Sequence, residues 1–128
     1  MEYIKQIFKD KDIVETDFSD NMFSEVQFSN IAIKQCDFTA ANFYSTQFFD
    51  TQIFDTNYHK VEFNDTIFQD VIFQDCLFSK VNAHNCKFVN VHFQNCKLTW
   101  SFLLDCQFIN SFFEEIKITA SRITQTKI

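Results

Sequence analysis

Residues 36–60 read CDFTA ANFYS TQFFD TQIFD TNYHK, and the third residue of every block is large and apolar: Phe38, Phe43, Phe48, Ile53 and Tyr58. The first residue is small or β-branched: Cys36, Ala41, Thr46, Thr51 and Thr56. Polar residues dominate the other three places. Carried outward in steps of five, the frame runs from Tyr3 to Ile128 through 26 positions, of which 25 are large and apolar and only Ala83 is small. It collects 15 of the 19 Phe residues, and all five Cys fall in the small register two places earlier.

A period of five is neither the two of a strand nor the 3.6 of a helix, so it describes a unit repeated with a rotation. Each unit points one large and one small side chain inward. If each ends in a quarter-turn, four units close a square coil of twenty residues, and coils stack by parallel pairing about 4.8 Å apart. Residues i and i+20 then lie over one another, so Phe8, Phe28, Phe48, Phe68, Phe88 and Phe108 form one ladder. The chain holds no Gly and no Pro, whereas average usage would give roughly nine and six. Glycine being the ordinary residue for positive φ, the corners are expected to use another, repeated device.

Cys36-Asp37-Phe38-Thr39-Ala40, Ala41-Asn42-Phe43-Tyr44-Ser45 and Cys106-Gln107-Phe108-Ile109-Asn110 match a motif of small, polar, Leu or Phe, and two variable residues. The pattern resembles the pentapeptide-repeat family from residue 16 to residue 128. The resemblance implies an all-β fold: a right-handed quadrilateral parallel β-helix, a solenoid of about six coils of four pentapeptides. Gln6 and Lys11 occupy the small inward slot, which predicts an irregular first coil or N-terminal cap over residues 1–15. Ala83, between Phe63 and Leu103 in its ladder, predicts a gap in the core and a place where the ladder could break.

Little in the sequence points to catalysis, a metal or a cofactor. Cys76, Cys86, Cys96 and Cys106 recur every ten residues, which places them alternately on opposite walls with the central rings between, so four sulfurs cannot meet on one ion. They read as reduced thiols filling a narrow slot. His59, His84 and His92 take outward positions on three different walls and read as surface residues. No apolar run approaches the ~20 residues of a membrane span. The start, Met1-Glu2-Tyr3-Ile4-Lys5, has no basic, apolar leader, so a cytoplasmic location is expected. A net charge of −6 argues against direct nucleic-acid binding through phosphates.

Function is therefore sought on the outside, with another protein as partner. Residues 1–75 carry 14 acidic and 5 basic side chains, a net −9, and residues 76–128 carry 3 and 6, a net +3. Asp50, Asp55, Asp65, Asp70 and Asp75 recur at the last place of the repeat. One reading is local, with Asp and Asn serving corner amides. The other is a partner-binding acidic surface, since some relatives in the family imitate duplex DNA and bind type II topoisomerases in bacteria. Near the C-terminus, Trp100, Phe102, Leu104, Phe112, Ile118, Ile123 and Ile128 suggest an apolar coil end. Because family members often join end to end there, the resemblance implies a homodimer about 60 Å long by the coil spacing. Phe49, Val89 and Ile109 form a separate outward apolar column, a candidate docking stripe for a scaffold or effector.

Overall fold

The computed structural model describes residues 1–126, and these form stacked square coils built almost wholly of three-residue strands. The register is the one that the period of five dictates: Phe48 lies opposite Phe68, Phe68 opposite Phe88 and Phe88 opposite Phe108, all in parallel pairing. The chain is a right-handed quadrilateral β-helix of about six turns. Its four walls are named here by their inward residues. Wall one holds Tyr3, Phe23, Phe43, Phe63, Ala83, Leu103 and Ile123. Wall two is the Phe8–Phe108 ladder. Wall three runs Ile13, Ile33, Ile53, Phe73, Phe93, Phe113. Wall four holds Phe18, Phe38, Tyr58, Phe78, Leu98 and Ile118.

Rings in a ladder stack nearly parallel. Along wall two the centroids are 4.5–5.0 Å apart with planes within 10°. Around one coil the rings meet at steep angles instead, as Phe63 meets Phe68 at 5.3 Å and 75°. Both arrangements suit the quadrupole of an aromatic ring and add to the area it buries.

The small register has a second use besides fitting a narrow slot. Its hydroxyls and thiols donate hydrogen bonds to backbone carbonyls two and 23 residues earlier. Thr46 Oγ1 reaches the Tyr44 and Phe23 oxygens at 3.4 and 3.3 Å, and Ser101 Oγ reaches those of Thr99 and Phe78 at 3.0 and 3.4 Å. Cys96 Sγ does the same with Gln94 and Phe73, both at 3.4 Å. Thr, Ser and Cys thus satisfy carbonyls that face the interior beside a corner.

Three expectations are corrected by the structure. The corners do use positive φ, without glycine: 25 residues, one in five from Lys5 to Gln125, have φ between 47° and 61°. Corner amides from Lys5 to Asp105 donate to the next coil, as Lys5 N–H does to the Ser24 oxygen, Asp55 N–H to the Gln74 oxygen and Asp105 N–H to the Thr124 oxygen, at 2.9, 2.9 and 3.2 Å. Residues 1–15 form a regular first coil, with strands Glu2–Ile4, Ile7–Lys9 and Asp12–Val14 in register with the next. Gln6 and Lys11 are tolerated because at the end of the stack their side chains are exposed. Finally, pairing continues unbroken through Ala83. The expected gap is present, as a cavity of about 270 Å³ that extends toward the last coil.

Candidate interaction site

Corner positions set the geometry of the acidic surface. A residue in the left-handed region turns the chain by a right angle and throws its side chain outward, and Asp and Asn enter that region more readily than most residues. All five candidate carboxylates, Asp50, Asp55, Asp65, Asp70 and Asp75, sit at such corners and are exposed. The strands Gln47–Phe54 and Ile67–Gln74 run past a corner and pair along their length. Asp50 and Asp70 therefore stack on one edge of wall three, and Asp55 and Asp75 on its other edge. The outward residues between the two edges are Gln52, Phe54, Ile72 and Gln74, none of them charged. Asp65 stands apart, on the corner between walls one and two.

Asparagine continues these columns, and its role was not evident from the repeat. Asn85, Asn90 and Asn95 donate from Nδ2 to Asp65, Asp70 and Asp75 at 2.7, 2.6 and 2.7 Å, each across twenty residues. Asn30 does the same to Asp10 at 3.0 Å. Asp65, Asp70 and Asp75 are thus partly engaged from the next coil, whereas Asp50 and Asp55 have another Asp twenty residues on. The alternation of Asp and Asn at i and i+20 was the available signal.

The apolar candidates are spread more widely than the sequence suggested. Phe102 and Leu104 lie on wall one with Trp100 at the adjoining corner, and all three are exposed. Phe112 is exposed on the opposite wall, against His92. Ile118 and Ile123 face inward by register yet are 47% and 39% exposed, so they belong to the open end of the stack. Ile128 lies outside the described residues. The docking-stripe residues do align: Phe49, Gln69, Val89 and Ile109 follow one another in register on wall two. Phe49 and Val89 are half-buried and Ile109 is exposed.

The thiols and histidines stay where the repeat places them. All five Cys are free and buried. Burial, helped by a hydrogen bond to Cys96, holds the Cys76 thiol well above the usual range. His84 Nε2 lies 3.6 Å from an Asp105 oxygen and His92 Nε2 3.0 Å from one of Glu114, two surface pairs that the sequence reading did not foresee. Among the described residues no group of three or more His, Cys, Asp or Glu converges as a metal site would. The described residues include no helix long and apolar enough to cross a membrane.

The family signature described as a pentapeptide repeat region matches residues 58–123, half of the chain. The chain belongs to the pentapeptide-repeat family. Solved structures agree in fold. This pentapeptide-repeat protein is similar to trypsin-treated QnrB1, described as a plasmid-mediated fluoroquinolone resistance protein, with a TM-score of 0.66 and 15% identity over 94% of this chain and 73% of that one. It is also similar to a pentapeptide repeat protein of the Arabidopsis thaliana thylakoid lumen, with a TM-score of 0.67 and 17% identity. That match covers 71% of this chain and 63% of the plant protein. Sequence comparison with curated proteins gives no match.

Proposed function

We propose that this pentapeptide-repeat protein is a non-enzymatic rod that binds another protein through its acidic edges, and that the partner is a cytoplasmic type II topoisomerase whose DNA path the rod occupies. The observation that carries this reading is the pair of carboxylate rows, Asp50 over Asp70 and Asp55 over Asp75, along the two edges of wall three. Edges five residues apart are separated by at most ~18 Å of extended chain, the same order as the ~12 Å major groove of DNA. Two charges per ~4.8 Å coil compare with about three on the same length of duplex. QnrB1, described as a fluoroquinolone resistance protein, supports this version within the family.

A gyrase supercoiling and cleavage assay tests it. The wild-type rod should inhibit or protect at micromolar concentration, more weakly as salt rises. Changing Asp50, Asp55, Asp70 and Asp75 to Asn should reduce the effect at least tenfold while the fold is kept. No effect of the wild type at micromolar excess removes the topoisomerase reading. The alignment of Phe49, Val89 and Ile109 favours a second reading, a scaffold that docks through wall two. Docking of that kind would survive the four Asn substitutions and be lost in Ile109→Asp.

A further inference from the structure

The cavity below Ala83 has an origin that can be read coil by coil. The coil of residues 61–80 places four rings inward, Phe63, Phe68, Phe73 and Phe78, which meet edge to face and close the shaft. The next coil places only two, Phe88 and Phe93, with Ala83 and Leu98 on the other walls. The coil after it repeats this with Phe108 and Phe113 against Leu103 and Ile118. The lost volume therefore lies on one side of the axis, along walls one and four, with the stacked rings of walls two and three opposite. The result is a cavity of about 270 Å³, lined only by apolar side chains, with Phe63, Phe68 and Phe78 at its floor. It meets solvent at the last coil, where Phe113, Ile118 and Ile123 are 39%, 47% and 39% exposed.

Such a lining can hold only a molecule that asks for no hydrogen bond inside, since an unmatched polar group would be costly there. By the scale on which a 150 Å³ apolar cavity takes up benzene, this one suits roughly ten carbons. Its length, from the level of Ala83 to that of Ile123, is two coil rises or about 10 Å, which favours a chain over a fused ring. The rim adds a charge preference. Lys117 and Arg122 flank Ile118 and Ile123 on the two aliphatic walls, and Lys97 stands opposite Lys117 in register. Both lysines are exposed at outward places of their strands, and like charges opposite each other on neighbouring strands are destabilising, a cost that a bound anion would reduce. The carboxylates of that coil precede them, with Glu114 held by His92 at 3.0 Å and Glu115 at the following corner.

We infer that the shaft is a binding site for a single-chain alkyl carboxylate, its chain in the cavity below Ala83 and its head group at the Lys117 and Arg122 rim. This does not depend on the topoisomerase reading. Calorimetric titration of the full chain with hexanoate, octanoate, decanoate and dodecanoate, each below its micelle concentration, tests it. One-to-one binding is expected, tightening with length and levelling near ten carbons. Ala83→Leu and Leu98→Phe fill the cavity from different walls and should each weaken decanoate at least tenfold. If either fails to fold, the other, checked by circular dichroism, decides. Lys117→Gln with Arg122→Gln should weaken decanoate about fivefold and leave 1-decanol unchanged. Absence of saturable binding, full affinity in the folded filled variant, or affinity that keeps growing beyond the cavity's length overturns the site.

Discussion

A residue with a Cβ held at φ near +55° costs roughly 1–2 kcal/mol relative to the right-handed region, less for Asn and Asp, whose side chains bond locally. The rod accepts this at 25 corners. One corner column makes little use of Asp or Asn: Ala40, Lys60, Lys80, Trp100 and Ala120 follow Asp20. Ala40→Gly should therefore raise stability by about 1 kcal/mol, seen as a higher urea midpoint at constant slope. Ala41→Gly, at the buried slot next door, should lower it by about 0.5–1 kcal/mol. The sole fully buried phenol provides a second test at this scale. Tyr58 continues the Phe18–Phe38 ladder, its rings matching Phe38 at 5.2 Å and 1°, but its hydroxyl is buried without a partner among the described residues. Tyr58→Phe should stabilise the rod by about 1–2 kcal/mol. Burial also pushes the phenol well above its ordinary range. Folding thus favours the neutral form, and that contribution is present below the unfolded value of ~10 and lost as pH climbs past it. Alkaline denaturation curves of the two proteins should diverge above that pH. Periodicity made the inward frame legible residue by residue. It did not reveal the left-handed corner, because three of the five places are polar and Lys60 or Trp100 gives no hint of positive φ.

At the level of the coil, stability depends on how many rings share one layer. Phe48 is fully buried, stacked on Phe28 at 4.7 Å and on Phe68 at 4.9 Å. Phe48→Ala should cost about 3–5 kcal/mol. Phe113 lies beside the cavity and is 39% exposed, so Phe113→Ala should cost only about 1 kcal/mol. Denaturant titration of the two variants measures the contrast. Because each coil touches only its neighbours, opening should spread from the loosely filled end. Amides of residues 102–124 should therefore exchange with solvent sooner than those of residues 42–74. The sequence did announce a gap at Ala83. It hid the cavity that follows, because Leu98, Leu103 and Ile118 each keep their ladder apolar. The loss shows only when rings are counted around a coil, four at residues 61–80 and two at residues 81–100.

Across the whole molecule, charge and apolar exposure run in opposite directions: a net −9 over residues 1–75 gives way to +3 over residues 76–128, where the largest exposed apolar side chains gather. The acidic columns were legible in advance because residues twenty apart must stack. The stacking of Asn85, Asn90 and Asn95 on them was legible in the same way, but the bonds themselves were not, since those depend on side-chain conformers as well as on register. The end-to-end dimer that the family resemblance implies makes a demand that the spread of its candidates sharpens. Trp100 and Phe102 adjoin wall one while Phe112 lies on wall three, opposite. A contact made through the coil end would use the rim all round, with Ile118 and Ile123 at its centre, and would close the mouth of the cavity, so it and ligand uptake exclude each other. A lateral contact would use wall one alone. Buried charge without a partner is strongly unfavourable, so Trp100→Asp with Phe102→Asp and, separately, Phe112→Asp should each shift sedimentation from dimer toward monomer by at least tenfold in dissociation constant. Loss of dimer only in the first variant would mean that the rods lie side by side. A mass unchanged in both would mean that the coil ends do not meet.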